Sequence, residues 1–150
     1  MLKPSKKLAL ALEAVVDIAY HGGSDPVQSQ DIARRLGLPR RYLEQVMQQL
    51  VRAGILRGMR GPRGGYRLAR ERRRITIADV IATVSGNEEQ DVESLISNSA
   101  VGAEVMRPFW ANIENDLVNR LGEVTVEDLC KDAERAGIQS ETVADANFVI

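Results

Sequence analysis

The sequence predicts a mainly α fold carrying one small β-hairpin, and three observations point there. Apolar residues recur at helical spacing through the first fifty positions. Glycine and proline cut that pattern into three pieces. A glycine-rich run, Gly61-Pro62-Arg63-Gly64-Gly65, then separates two short stretches suited to strands.

The elements follow in order. Leu8, Leu10, Ala11, Leu12, Ala14, Val15, Ile18 and Ala19 form one broad face of a first helix, with Ser5 as its N-cap. His21-Gly22-Gly23-Ser24-Asp25-Pro26 ends it. A short second helix is capped by Ser29, turns Ile32, Ala33 and Leu36 inward, and stops at Gly37. A third has Pro39 in its first turn, points Leu43, Val46, Met47 and Leu50 inward, and runs to about Ala53. Helix, tight glycine turn and helix make a helix-turn-helix, and Leu36-Gly37-Leu38-Pro39 is a suitable length for the turn.

Ile55–Arg60 and Tyr66–Leu68 read as the strands of a β-wing, its hairpin too small to bury Arg57, Arg60, Arg63 and Arg67. Thr76 opens a fourth helix, with Asp79 at N3, that reaches Gly86. Residues 87–99 are polar and acidic and read as a loop. An amphipathic helix covers about Arg107–Leu121, starting there because Pro108 fits only a first turn. Thr125 opens a last helix to about Ala136, and Ile138 onward reads as a loosely ordered tail. The organisation is a winged helix-turn-helix DNA-binding domain over 1–86, then a linker, dimerisation helix and last helix over 87–137, then a tail over 138–150.

Charge separates two tasks. Residues 1–75 hold sixteen Lys/Arg against six Asp/Glu, and residues 76–150 hold four against fifteen, so a +10 half adjoins a −11 half. That asymmetry suits a nucleic-acid-binding half joined to one with another role. No run approaches the roughly 20 apolar residues that cross a bilayer, and no signal peptide is evident. One cysteine, Cys130, excludes an intramolecular disulfide framework. Together these place the protein in the cytoplasm. No nucleophile motif, phosphate loop or metal-ligand spacing suggests an enzyme or a metal site. A winged-helix module used only for protein contacts is the alternative, and the basic first half argues against it.

These stretches resemble the Rrf-type (IscR/CymR/NsrR-like) winged-helix transcriptional regulators. The resemblance rests on Ser5-Lys6, Asp31-Ile32-Ala33, Tyr42-Leu43-Glu44-Gln45, the wing Arg60-Gly61-Pro62-Arg63-Gly64-Gly65-Tyr66-Arg67-Leu68, and Ile77-Ala78-Asp79-Val80-Ile81. It covers about residues 1–130; Arg63 stands where the family more often has glycine. It implies a homodimer held by the long helix and bound to a partly palindromic operator, most simply as a repressor. Many members also hold an iron–sulfur cluster on three cysteines between the fourth and fifth helices. Gly86–Arg107 has neither cysteine nor histidine here, so no cofactor is expected. The signal is then a small molecule or a partner protein.

The third helix is the recognition helix, entering a major groove by its N-terminal end. Arg40 and Arg41 suit guanine or phosphate, Glu44 a cytosine amino group or a neighbouring arginine, and Gln45 adenine. Tyr42 packs its ring and offers its hydroxyl to phosphate. Ser5, Lys6, Lys7, Gln28 and Ser29 are expected backbone contacts. At the wing, Arg60 and Arg63 approach DNA with Gly64, Gly65 and Tyr66 beside them. Val105, Phe109, Trp110, Ile113, Leu117 and Leu121 are the expected two-fold interface, because the first domain already has apolar side chains enough for its own core.

Overall fold

The computed structural model describes residues 4–84 and 96–142. Within them the chain forms α1 (Lys6–His21), α2 (Ser29–Leu36), α3 (Arg40–Arg52), β1 (Leu56–Met59), β2 (Gly65–Leu68), α4 (Ile77–Val84), α5 (Arg107–Gly122) and α6 (Val126–Arg135). The expected winged helix-turn-helix is present. Gly86, the expected end of α4, and most of the expected 87–99 loop lie outside the described residues.

α1 is the central helix. Ser5 accepts the Leu8 amide hydrogen at 3.2 Å and so caps it. Its buried residues pair along the helix as Leu10 with Ala11, Ala14 with Val15 and Ile18 with Ala19, one pair per turn. Into that face pack Ile32 from α2, Leu43, Val46, Met47 and Leu50 from α3, and Val80 from α4. Each such burial contributes roughly 1.5–3 kcal/mol. The turn between α2 and α3 depends on Gly37, which sits in the left-handed region at φ 65°, ψ 36°, where a Cβ is penalised.

Two capping expectations shift by one residue. Ser29 does not cap α2: Gln28 is the N-cap residue, makes no side-chain cap bond, and leaves Ser29 buried inside the first turn. Pro39 is the N-cap residue of α3, just before the helix. Thr76 behaves as read. Its hydroxyl accepts the Asp79 amide hydrogen at 3.1 Å, and Asp79 accepts the Thr76 amide hydrogen at 3.0 Å.

The wing is a two-stranded antiparallel sheet in the register Leu56 with Leu68, Arg57 with Arg67, Gly58 with Tyr66 and Met59 with Gly65. Its first strand runs from Leu56 to Met59, one residue shorter at each end than the sequence reading, and Ile55 and Leu56 both belong to the core. The tip closes through Gly64 N–H donating to Gly61 O at 2.9 Å, with Pro62 at the second turn position. A reciprocal pair of backbone bonds, both 2.8 Å, joins Val27 and Tyr66 and fixes the wing beside the entry to α2.

The segment before α5 differs from the sequence reading. Helical backbone begins at Ala100, upstream of Pro108. A π-helical turn over Gly102–Met106 accommodates the proline, and Arg107 N–H donates five residues back to Gly102 O. Within this wider turn the ladder runs i to i+5, so Pro108, which has no N–H to give, follows directly on a locally altered hydrogen-bond pattern.

α6 returns to the first half. Ile77 N–H donates to Val124 O at 2.9 Å and Val126 N–H to Ile75 O at 2.9 Å, while Val126 and Cys130 complete the core beside α1. The loose tail expected from Ile138 does not hold for residues 138–142. Tyr20 donates its hydroxyl hydrogen to Ile138 O, Thr142 donates to His21 O, and His21 Nδ1 accepts the Glu141 amide hydrogen at 3.1 Å. Arg34 holds the Glu141 carboxylate at 3.0 Å, and Arg35 bridges it to Asp17, whose oxygens lie 2.8 Å away. The rest of the tail, 143–150, lies outside the described residues. No helix among the described residues is long and apolar enough to cross a membrane.

Candidate nucleic-acid interface

Three elements with no common stretch of sequence converge on one side of the domain. The wing leans toward the start of α2 and the flank of α3, leaving a groove of about 540 Å³. Gln28 and Ser29 line it from α2, Arg40 and Gln48 from α3, and Arg60, Gly64, Gly65 and Tyr66 from the wing. A second groove of about 440 Å³ runs between α1 and α3, lined by Lys7, Tyr42, Gln45, Gln48, Gln49 and Arg52. Lys6 adds its ammonium 6.0 Å above the Tyr42 ring centroid, within cation–π range.

The candidate residues are therefore brought together in two sets that share α3. Arg41 and Arg63 are exposed and line neither groove, Arg41 on the first turn of α3 and Arg63 at the wing tip. Glu44 is engaged as a brace, accepting from Arg40 Nε at 3.2 Å. Exposed i,i+4 pairs of this kind contribute only about 0.3–0.5 kcal/mol, so either side chain is cheaply released to another partner. Ser5 spends its side-chain oxygen on the α1 cap.

Tyr66 lines the wing groove from a largely buried position. It is 8 % exposed, its ring belongs to the core, and only its hydroxyl reaches out, 3.4 Å from Gln48 Nε2. Gly64 is there for space, and Gly65 for space and for its φ of 158°. A Cβ on Gly64 would fall 2.4 Å from Met59 O, and one on Gly65 would fall 2.3 Å from Val27 O.

Sequence reasoning missed Gln48 and Arg52. The signal was available: positions 41, 45, 48 and 52 fall on one helical face by steps of four, three and four.

The acidic half presents a different surface. α5 has no buried residue, and it exposes Phe109 (49 %), Trp110 (39 %), Leu117 (52 %) and Val118 (47 %), with Val101 and Val105 upstream. Phe109 and Trp110 meet edge-to-face at 5.4 Å. Leu121, expected to face a partner, is half-buried against the chain's own core, and Ile113 is half-buried as well.

With this geometry in place, a family model described as Rrf2, iron-dependent transcriptional regulator, matches residues 4–132. The chain belongs to the Rrf2 family. Curated relatives include the HTH-type transcriptional regulator IscR of Xenorhabdus nematophila, 30 % identical over 138 residues covering 89 % of this chain and 82 % of that protein. IscR of Vibrio campbellii is 31 % identical over 134 residues, covering 89 % and 80 %. Among solved structures, T. potens IscR superimposes with a TM-score of 0.75 at 35 % identity and 93 % coverage of both chains. The global cysteine regulator CymR of B. subtilis gives 0.71 at 30 % identity, covering 87 % of this chain and 98 % of that one. The Rrf2 family is one of transcriptional regulators and not of enzymes.

The residues do not fit the iron–sulfur cluster that the family resemblance brings with it. Such clusters need several thiolates, and this Rrf2 chain has one cysteine in its whole sequence. Cys130 lies on α6 in the core, 2 % exposed, with burial pushing its thiol pKa up against the opposing pull of Arg72. In the described part of the segment before α5, Arg107 instead donates to Ile96 O at 3.4 Å and Asn98 Oδ1 at 3.2 Å, and Ser99 Oγ accepts the Gly102 amide hydrogen at 3.0 Å. Side-chain hydrogen bonds hold the segment at those points.

Proposed function

We propose that this Rrf2 chain is a cluster-free transcriptional repressor that binds a partly palindromic DNA operator as a homodimer. The observation that carries the reading is the convergence of α2, α3 and the wing around one groove, with Arg40 and Arg60 both lining it. A recognition helix flanked by a cationic hairpin is the arrangement that places one element in a major groove and the other against phosphates or a minor groove. Arg40, Arg41, Gln45 and Glu44 then supply base contacts. Ser5, Lys6, Lys7, Gln28 and Ser29 hold the backbone, and Arg60, Arg63 and the wing glycines follow the strand. Tyr42 and Tyr66 support these contacts, offering little beyond their hydroxyls.

The apolar stripe of α5 supports the dimer, whose two-fold axis matches a palindromic site. Phe109, Trp110 and Leu117 are its centre, joined by Val105 from the turn before α5, with Ile113 and Leu121 at the edge. The acidic half supplies none of the residues lining either groove and is left for an effector, a small molecule or a protein.

The test is selection of bound duplexes from a random pool of roughly 30 bp, about three helical turns, followed by titration at several salt concentrations. The expected result is an enriched inverted repeat. Arg63→Ala should flatten the log–log salt slope by about one unit. Wild-type protein that binds no duplex even at low salt would overturn the reading.

A further inference from the structure

The residue that joins the two grooves has no assigned role. Gln48 is exposed on the third turn of α3 and lines both the wing groove and the α1 groove. It stands one turn beyond Gln45 and one turn before Arg52, and all three line the α1 groove.

Its carboxamide is oriented from behind. Tyr66 is pinned by the two 2.8 Å backbone bonds to Val27 and by burial of its ring, so its hydroxyl is a fixed post. Gln48 Nε2 donates to that hydroxyl at 3.4 Å. A carboxamide has two N–H donors and one carbonyl acceptor. Committing one N–H to Tyr66 leaves one N–H and the carbonyl oxygen unspent. That is the donor–acceptor pair a glutamine presents to adenine N7 and N6 in a major groove. Phosphate is the poorer target for this side chain, because Arg52 on the next turn carries the charge that a phosphate prefers.

We propose that Gln48 is a specificity-determining residue that reads an adenine-containing base pair, with Tyr66 as the positioning residue that sets its amide. The inference rests on the DNA-binding reading above. It is tested by repeating the random-duplex selection with Gln48→Ala and Tyr66→Phe, then titrating both variants against the wild-type consensus and its single-base changes.

Gln48→Ala should lose discrimination at one position of each half-site by roughly tenfold, at the scale of one bidentate base contact, with salt slope and thermal stability unchanged. Tyr66→Phe should lose less, at that same position. Loss of affinity spread evenly over all sequences, or an unaltered consensus in Gln48→Ala, overturns the proposal while leaving DNA binding intact. A wild-type protein that enriches no sequence overturns the DNA reading first, and this inference with it.

Discussion

Gly65→Ala is the sharpest probe of how the wing is held. Gly65 has φ 158°, a backbone conformation that side chains with a Cβ rarely adopt, and the site is short of space as well. A Cβ would stand 2.3 Å from Val27 O, 2.6 Å from Val27 C and 3.0 Å from Gln28 N. All three are backbone atoms, and no rotamer change relieves them. The Val27–Tyr66 pair must open, giving up two 2.8 Å hydrogen bonds. At about 0.5–1.5 kcal/mol each, the loss is about 1–3 kcal/mol. For a chain of this size that lowers Tm by roughly 3–10 °C. Thermal and urea unfolding followed by circular dichroism measure it. Gly61→Ala is the control: its φ of 109° makes it strained, but nothing lies within 4 Å of the added methyl. The alanine at 65 should weaken duplex binding more than the alanine at 61, because Gln28 is the N-cap residue of α2 and moves with Val27. An unchanged Tm for Gly65→Ala would refute the close approach and the wing placement built on it.

Three further outcomes are expected. Phe109→Asp should turn a sedimenting dimer into a monomer; burying the exposed half of that ring, on the order of 100 Å², contributes about 2.5 kcal/mol per copy and counts twice across a two-fold axis, and dimers that persist unchanged would remove α5 from the interface. His21 is the only histidine; burial and then Arg35 lower its pKa below 6.5 against the pull of Asp17 and Glu141, so the neutral ring is favoured on folding and stability should fall as pH drops below 6.5. The imidazole proton signal should titrate below 6.5, and His21→Gln should remove that part of the urea-measured slope; a midpoint above 6.5 would reverse the sign. Cys130 should resist a thiol reagent at neutral pH in the native protein and react promptly once urea unfolds it, whereas rapid native labelling would place it at the surface.

Much of the fold was legible because its signals are local. The two-per-turn face of α1, the inward set of α3, the Thr76–Asp79 box and the turn at Gly37 each lie within a few residues of one another. What escaped the sequence is non-local. Ser29 looked like a cap, but the bonds between Val27 and Tyr66 fix the chain so that Gln28 holds that position and Ser29 is buried. Tyr66 is readable as a wing residue beside the DNA-facing arginines, but nothing nearby says that its ring finds the core. The tie of Glu141 to Arg34 and Arg35 spans more than a hundred residues, beyond any periodicity. For the candidate interface, types and helix positions were readable from charge and spacing. The sharing of Gln48 by two grooves required the wing's tilt.

The wide turn at Gly102–Met106 and Pro108 constrain each other's replacement. Deleting one residue from the turn would restore ordinary helical spacing just where the pyrrolidine ring collides with the carbonyl four residues earlier. Val105 lies inside that turn, so its direction relative to Phe109 and Trp110 depends on the turn's width. Pro108→Ala alone frees the turn to relax. Editing this stretch therefore succeeds only in matched steps, and a change in its length re-aims Val105 even though that side chain is not touched.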